Sequence, residues 1–246
     1  MPSVWRTLDS DFWDATVPDD YFAPDAGYVD PRRAVLLRVG RVVGRGGVLD
    51  PALAGDDAWL QVRGGARDVA LTGAAMWAYV FAPGDPANER YGWGTAQQIG
   101  DSVAHHTGLD TGERDALQFV EPGLLVPVTG DPELVRAAAR LFRVTASAGG
   151  YGDVIAEERR SQDLRFAAPA QGEDVLDAFA QTIFDGAAYG SLLEAARAAQ
   201  AVLVATGQLS EEISLGELIN GVLAKCADGT ITGMWRLEPA RSEDAA

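Results

Sequence analysis

The feature of this chain that most constrains its fold is the order of elements predicted between residues 34 and 128. Two short runs, 59–63 and 67–71, are rich in β-branched and apolar residues and flank a glycine turn, which predicts a β-hairpin. A β-branched stretch over 34–43 predicts a strand ahead of the hairpin. Three helical segments follow the hairpin, and an apolar run over 124–128 predicts a closing strand.

The three helices of this stretch are delimited by local signals. Thr72 is placed to cap the first helix, whose apolar residues share one face. Thr95 and Gln98 have the spacing of a capping box for the second helix, and Gly108 predicts its left-handed end. Asp110 precedes the third helix as a predicted cap. The predicted helix ends therefore depend on capping residues that lie within a few positions of each end.

The rest of the chain divides into three regions around this module, which we place at 34–129. Residues 1–33 mix aromatic and acidic residues with prolines, which predicts an arm without regular structure that docks its rings on a surface. Gly130-Asp131-Pro132 has the cap and first-turn proline of a new helix and opens a second region over 130–238. We expect residues 239–246 to form a disordered tail.

The second region is predicted to be mainly helical. The order helix, helix, strand at 214–237 echoes that at 95–128, which leaves open a diverged second copy of the first module. Helical patterns cover 134–142, 175–183, 192–204 and 214–223, and short strands are predicted at 164–167 and 230–237.

The charge of the chain excludes several classes of partner. A formal net charge of −16 over 246 residues repels nucleic acid and anionic bilayers, so we expect partners that are neutral, apolar or basic. The single cysteine, Cys226, excludes an internal disulfide. Neither a signal peptide nor an apolar run of about 18 residues is present. We therefore expect a cytoplasmic protein that binds neither nucleic acid nor membrane.

The sequence offers no recognisable catalytic or metal-binding set. The two histidines, His105 and His106, are neighbours on a predicted helix, where their side chains diverge by ~100° and do not converge on one metal. Cys226 lies near a predicted helix C-terminus, where the dipole disfavours a thiolate. We predict no catalytic residues, no metal site and no cofactor.

The predicted third helix is unlike one that reads DNA. A helix that contacts phosphates carries several basic residues. In this chain the segment 111–119 has Arg114 between Glu113 and Asp115 and no other basic residue. The module must therefore use this helix for another purpose.

Residues 34–128 resemble a known family of small domains. The resemblance is carried by Ala58-Trp59-Leu60-Gln61-Val62, by Val69-Ala70-Leu71-Thr72-Gly73 leading into an aromatic helix, by Ile99 and Val103 on the next helix, and by Gly123-Leu124-Leu125. In order and spacing this stretch is similar to a PqqD-type module, a winged-helix peptide-recognition element of ribosomal peptide (RiPP) biosynthesis. The implied fold class is α+β: a winged-helix-like module plus a mainly helical second region.

The resemblance implies a peptide-binding function without catalysis. In that family the leader peptide of a precursor adds as a strand to an exposed sheet edge and presses apolar side chains against the third helix. The implied role is a scaffold or carrier in the natural-product pathway, with a modifying enzyme or a second copy of the chain as protein partner. Arg67 and Arg114 would contact acidic residues of the leader. The implied binding residues are Arg67, Asp68, Val69, Ala70 and Leu71 on the edge, and Arg114, Leu117, Gln118 and Glu121 along the helix wall.

Two other functions fit the same pattern of elements. A winged-helix transcriptional regulator would need a basic stripe, for which Arg63, Arg67, Arg90 and Arg114 are the candidates. An enzyme subunit would need a site of Asp, Glu, Arg and Tyr completed by a partner. Salt-dependent binding of duplex DNA would favour the first alternative, and a close carboxylate pair in a cleft would favour the second.

Overall fold

The computed structural model describes residues 4–23, 25–47, 57–64, 67–82, 94–128, 130–146, 189–207, 213–227 and 235–241. Within these ranges the chain forms seven α-helices and seven strands, which confirms the α+β class. The strand expected at 164–167 and the helix expected at 175–183 lie outside the described residues, as do residues 242–246 of the expected tail.

The first module contains the predicted order of elements. The hairpin, the three helices and the closing strand are all present, with one additional strand ahead of the hairpin. The strands are β1 (Val35–Arg38), β2 (Arg41–Gly46), β3 (Trp59–Gly64), β4 (Arg67–Thr72) and β5 (Leu125–Val128), and the helices are α2 (Gly73–Phe81), α3 (Ala96–Thr107) and α4 (Gly112–Gln118).

The single strand expected over 34–43 is two strands in two different sheets, so that prediction was wrong. Gly40 has a φ of +94°, a conformation that side-chain-bearing residues rarely adopt, and it separates β1 from β2. Before this turn β1 pairs antiparallel with β5. After it β2 pairs antiparallel with β3. The break therefore lets one continuous stretch serve two sheets.

The strands β2, β3 and β4 form a three-stranded antiparallel sheet with β3 in the centre. The predicted hairpin is confirmed, with Leu60 opposite Leu71 and Val62 opposite Val69. Strand side chains alternate between faces, so Leu60, Val62 and Leu71 all lie on the buried face of the sheet. This face packs on the helices of the module.

The local helix signals are mostly confirmed. The capping box of Thr95 and Gln98 is formed in both directions at the start of α3, and Gly108 ends α3 at a φ of +72°. Helix α4 instead has Thr111 at its N-cap, one residue after the predicted Asp110. The Thr111 side chain does not cap the helix backbone; its hydroxyl donates to the Asp115 carboxylate at 2.8 Å.

The N-terminal arm has more regular structure than expected. It forms a 3₁₀ turn at Val4–Thr7 and a short helix α1 (Ser10–Asp14). Asp9 caps α1 by accepting from the Phe12 N–H at 3.1 Å. The expectation of an arm without regular structure was therefore wrong for these residues.

The second region adds three helices and a two-stranded sheet. Helix α5 (Pro132–Leu141) begins at the predicted Asp131 cap and is followed directly by β6 (Phe142–Ala146), which was not predicted. Helices α6 (Leu192–Ala205) and α7 (Leu215–Ala227) follow. Strand β7 (Trp235–Pro239) pairs antiparallel with β6 and extends into the expected tail.

Two hydrophobic cores lie on either side of the β1–β5 ribbon. The first core consists of buried side chains of β2, β3, β4 and α2 to α4, to which the ribbon adds Leu36 and Leu125. The second core consists of buried side chains of α5, β6, α6, α7 and β7, to which the ribbon adds residues such as Leu37 and Val126. Residues on both sides of the predicted boundary at 130 therefore share the second core.

The arm packs on the second core of its own chain. Trp13 is 3% exposed and belongs to that core. Arg140 of α5 donates to the Trp13 carbonyl at 3.0 Å, and Arg136 donates to the Phe12 carbonyl at 3.2 Å. Arg197 of α6 pairs with Asp14 at 2.9 Å. The predicted docking of aromatic rings is confirmed, and the surface is the chain's own.

Candidate functional site

Strand β4 is an edge of the three-stranded sheet. It pairs with β3 from Arg67 to Thr72, and no other strand in the described ranges pairs with its far side. Backbone N–H and C=O groups on the unpaired side of an edge strand are free to bond to another extended chain. Within the described ranges, β4 therefore presents an edge to which an extended chain can add.

The two faces of β4 differ in character. Leu71 is 2% exposed and lies in the first core, and Val69 is half-buried against that core. Asp68, Ala70 and Thr72 are exposed on the opposite face. The half-buried Val69 leaves part of an apolar side chain accessible beside the open edge.

Asp68 is already engaged with its neighbours on β3. Its carboxylate accepts from Arg63 Nε at 2.7 Å and from Arg63 Nη2 at 2.9 Å, and Gln61 donates to it at 3.3 Å. The hydrogen bond to Asp68 raises the pKa of the Arg63 guanidinium. Asp68 and Arg63 therefore form a cross-strand pair, and Asp68 is less suited to contact a peptide side chain than the edge residues beside it.

Helix α4 provides a second half-buried apolar side chain. Leu117 packs partly buried against the first core, and Gln118 next to it is exposed. Helix α2 packs against both β4 and α4 and so links the two elements. Val69 and Leu117 thus lie at the margin of the same core, one on the strand and one on the helix.

Arg114 is exposed, but its charge has a carboxylate close by. Arg114 Nε lies 3.7 Å from Asp115 Oδ1. Asp115 is 9% exposed and also accepts from the Thr111 hydroxyl. The Arg114 side chain remains 68% exposed, so its guanidinium is available for a second anionic group. Arg67 contributes its backbone to β4, while its side chain lies outside what the structure describes.

Glu121 is not brought together with β4. It is exposed in the turn after α4 and lines a different cleft, among whose described lining residues none belongs to β4. The residues Phe119 and Val120 before it are buried in the first core. Of the residues predicted for the helix wall, Arg114, Leu117 and Gln118 therefore lie on α4 itself. Glu121 lies after the end of α4, on a different surface of the protein.

The opposite edge of the sheet is built differently. Strand β2 has a bulge between Val42 and Gly44 where its register with β3 shifts. A Cβ at Gly44 would lie 3.3 Å from the Trp59 ring, and one at Gly46 would overlap that ring. The Trp59 side chain thus lies across the two glycines. Bulges and a covering aromatic ring disturb the flat ladder that a new strand would need.

The cleft lined by Glu121 was missed by sequence reasoning. It has a volume of about 910 Å³ and lies between the arm, the turn after α4, the N-terminus of α6 and the end of β7. These segments are spread from residue 14 to residue 241 of the chain, so no local pattern marks the cleft. Only the acidic residues of the arm, among them Asp19 and Asp20, gave any indication of it in the sequence.

The described residues contain no sign of a metal centre or a reactive thiol. Among them, no three His, Cys, Asp or Glu side chains are close enough to hold a metal ion. Cys226 is buried, and its burial raises the pKa of the thiol to about 12. No helix within the described ranges is long and apolar enough to cross a bilayer.

Comparison of the chain with protein-family models, with curated proteins and with solved structures gave no significant match.

Proposed function

We propose that this protein is a non-catalytic peptide-binding scaffold or carrier that captures an extended peptide by strand addition to β4. The observation that supports it is the outer edge of β4, with which no described strand pairs, together with the half-buried Val69 on this strand and the half-buried Leu117 of α4 at the margin of the same core. The open edge supplies backbone hydrogen bonds, and the apolar side chains supply selectivity. The bound segment is the leader of a ribosomally made precursor peptide, held for a modifying enzyme.

The order of elements supports a PqqD-like, winged-helix assignment for this module. A three-stranded antiparallel meander is followed directly by three helices and a strand. Gly73, with a φ of +54°, lets β4 pass into α2 without an intervening loop. Strand β4 is the outermost of the three strands, and α2 packs against it.

Of the two sheet edges, β4 is the better template. A peptide that adds to β2 would meet the bulge at Val43 and the ring of Trp59 over the glycines. Strand β4 pairs with β3 in continuous register over six residues. A peptide on β4 therefore finds a regular ladder of the length of an average strand.

The acidity of α4 favours a peptide over DNA as ligand. The first turn of α4 carries Glu113 and Asp115, and the guanidinium of Arg114 is close to Asp115. A helix with these charges repels phosphates. The half-buried Leu117 on the same helix can instead contact an apolar side chain of an extended peptide.

Two proline variants test the edge directly. Backbone N–H groups alternate sides along a strand, so one of Val69→Pro and Ala70→Pro removes a donor facing β3 and the other removes a donor facing the free edge. Isothermal titration calorimetry would measure binding of synthetic leader peptides from precursors encoded beside the gene. We expect the free-edge variant to keep its circular dichroism spectrum and melting temperature and to lose at least tenfold in affinity.

The control is Val43→Pro in the bulge of β2, which should leave affinity unchanged. Leu117→Ala should weaken binding with little loss of fold, because its side chain is only half-buried. If both proline variants at β4 fold and bind leader peptides as tightly as the unmodified protein, strand addition at β4 is wrong.

A further inference from the structure

The cleft of about 910 Å³ that Glu121 lines is separate from β4 and has no role in strand addition there. One wall is formed by the arm, with Val17 and Phe22. The N-terminal end of α6, with Ser191 and Glu194, forms another part of the lining. Glu121 and Pro122 in the turn after α4 close one side. The cleft is open to solvent and is as large as a typical small-ligand pocket.

The charges around this cleft are unbalanced. Carboxylates outnumber guanidinium groups among its described lining residues. Two of the three arginines are already engaged, since Arg197 pairs with Asp14 at 2.9 Å and Arg140 donates to the Trp13 carbonyl at 3.0 Å. The lining carboxylates are Asp14, Asp19, Asp20, Glu121 and Glu194, and the lining arginines are Arg140, Arg197 and Arg241.

Three of these carboxylates are exposed and available. In the part of the chain that the structure describes, Asp19, Asp20 and Glu121 form no ion pair and accept no side-chain hydrogen bond. Asp19 and Asp20 lie on the arm, and Glu121 lies in the turn after α4. They therefore present negative charge to the cleft from two of its sides, beside the apolar surface of Phe22.

The N-terminus of α6 at the cleft is not an anion site. Glu194 occupies it, because its Oε2 accepts from the Gly190 N–H at 2.9 Å. The Glu194 N–H in turn donates to the Ser191 hydroxyl at 3.3 Å. The backbone donors that would hold a phosphate or a carboxylate are thus partly satisfied by the chain's own acid. The excess of carboxylates over arginines in the lining also disfavours a negatively charged ligand.

We infer that this cleft is a second binding site, which takes a basic segment of a partner polypeptide with apolar residues between its Arg or Lys residues. The excess of carboxylates provides the charge complementarity, and the half-buried side chains of Phe22 and Leu141 provide apolar contact for the aliphatic parts. The open shape admits an extended chain. The site is separate from β4, so it can hold a partner while β4 holds a peptide.

Fluorescence anisotropy with labelled ten-residue peptides tests this inference. One peptide alternates Arg and Leu, and its counterpart alternates Glu and Leu. We expect only the basic peptide to bind, with an affinity that falls as NaCl is raised. Replacing both Asp19 and Asp20 by Asn should lower the affinity for the basic peptide about fivefold, as expected for the loss of two exposed charge pairs.

The matched control is replacement of Asp101 and Asp110 by Asn, which removes the same charge from exposed positions outside the cleft. Equal weakening by both pairs would mean that the peptide responds only to net charge and would overturn the inference. Sedimentation velocity provides a second check. If the unmodified protein is a dimer and replacing Asp19 and Asp20 by Asn dissociates it, the occupant of the cleft is a second copy of the chain and the inference is wrong. The Val69→Pro and Ala70→Pro variants should bind the basic peptide normally, which separates this result from that for β4.

Discussion

The phenol of Tyr79 donates a hydrogen bond of 3.1 Å to the main-chain carbonyl oxygen of Val39. Tyr79 belongs to the first core, and the side chain of Val39 belongs to the second. The Val39 N–H is bonded to the Leu124 carbonyl at 2.9 Å. This one bond therefore ties helix α2, which supports β4, to the segment that links the two cores.

Loss of the Tyr79 hydroxyl should lower the stability of the whole chain. We expect Tyr79→Phe to reduce the free energy of unfolding by about 1–2 kcal/mol, because the buried carbonyl of Val39 loses its side-chain donor. Urea denaturation followed by circular dichroism would measure it. Tyr28→Phe is the control, since Tyr28 is 55% exposed, and it should change stability little. A similar loss in both variants would contradict a specific role for the Tyr79 bond.

The crossing of α3 and α4 should tolerate no side chain at Gly112. A Cβ there would lie 2.7 Å from the Cβ of Val103 and 3.2 Å from the Cα of Gly100. We expect Gly112→Ala to cost about 1–3 kcal/mol by forcing the helices apart. Thermal unfolding would show the loss. Gly130→Ala has open space around its new methyl group and should be nearly neutral. Equal melting temperatures for the two variants would refute the close crossing.

Docking of the arm should depend on the absence of a side chain at Gly216. A Cβ at Gly216 would overlap the ring of Trp5 and approach Cζ2 of Trp13 to 3.0 Å. We expect Gly216→Ala to loosen the arm, so that trypsin cleaves after Arg6 several times faster than in the unmodified protein. Mass spectrometry of a digestion time course would show it. Cleavage at an unchanged rate would mean that the arm is held by its other contacts alone.

The thiol of Cys226 should be unreactive in the folded chain. Burial raises its pKa from 9.0 to about 12, so little thiolate forms at neutral pH. We expect iodoacetamide at pH 8 to leave Cys226 unmodified until urea unfolds the protein. Labelling in the native state at the unfolded rate would contradict this burial.

The same shift gives a pH dependence of stability. The native state binds the thiol proton more tightly than the unfolded state, so this contribution is complete below pH 9 and is lost as pH rises toward 12. We expect the free energy of unfolding to fall more steeply above pH 9 in the unmodified protein than in Cys226→Ala. Parallel pH profiles for the two proteins would show that the thiol does not contribute.

Some elements were predictable because their signals act over a few residues. The capping box of Thr95 and Gln98 and the Asp131 cap of α5 each close hydrogen bonds within one helical turn. The β3–β4 hairpin needs only a glycine turn between two apolar runs. In each case the interacting groups are close in the chain, so the local sequence alone carries the information.

Other features depend on contacts between distant segments. The sequence by itself determined the starts of α3 and α5, the hairpin, the α+β class and the acidic character of the chain. Only the tertiary structure decided that β1 pairs with β5 outside the sheet of β2 to β4, that the arm covers the second core, and that Glu121 lines a cleft away from β4. The physical reason is that burial of apolar faces is non-directional, so which faces meet depends on all elements packing together and not on any one of them.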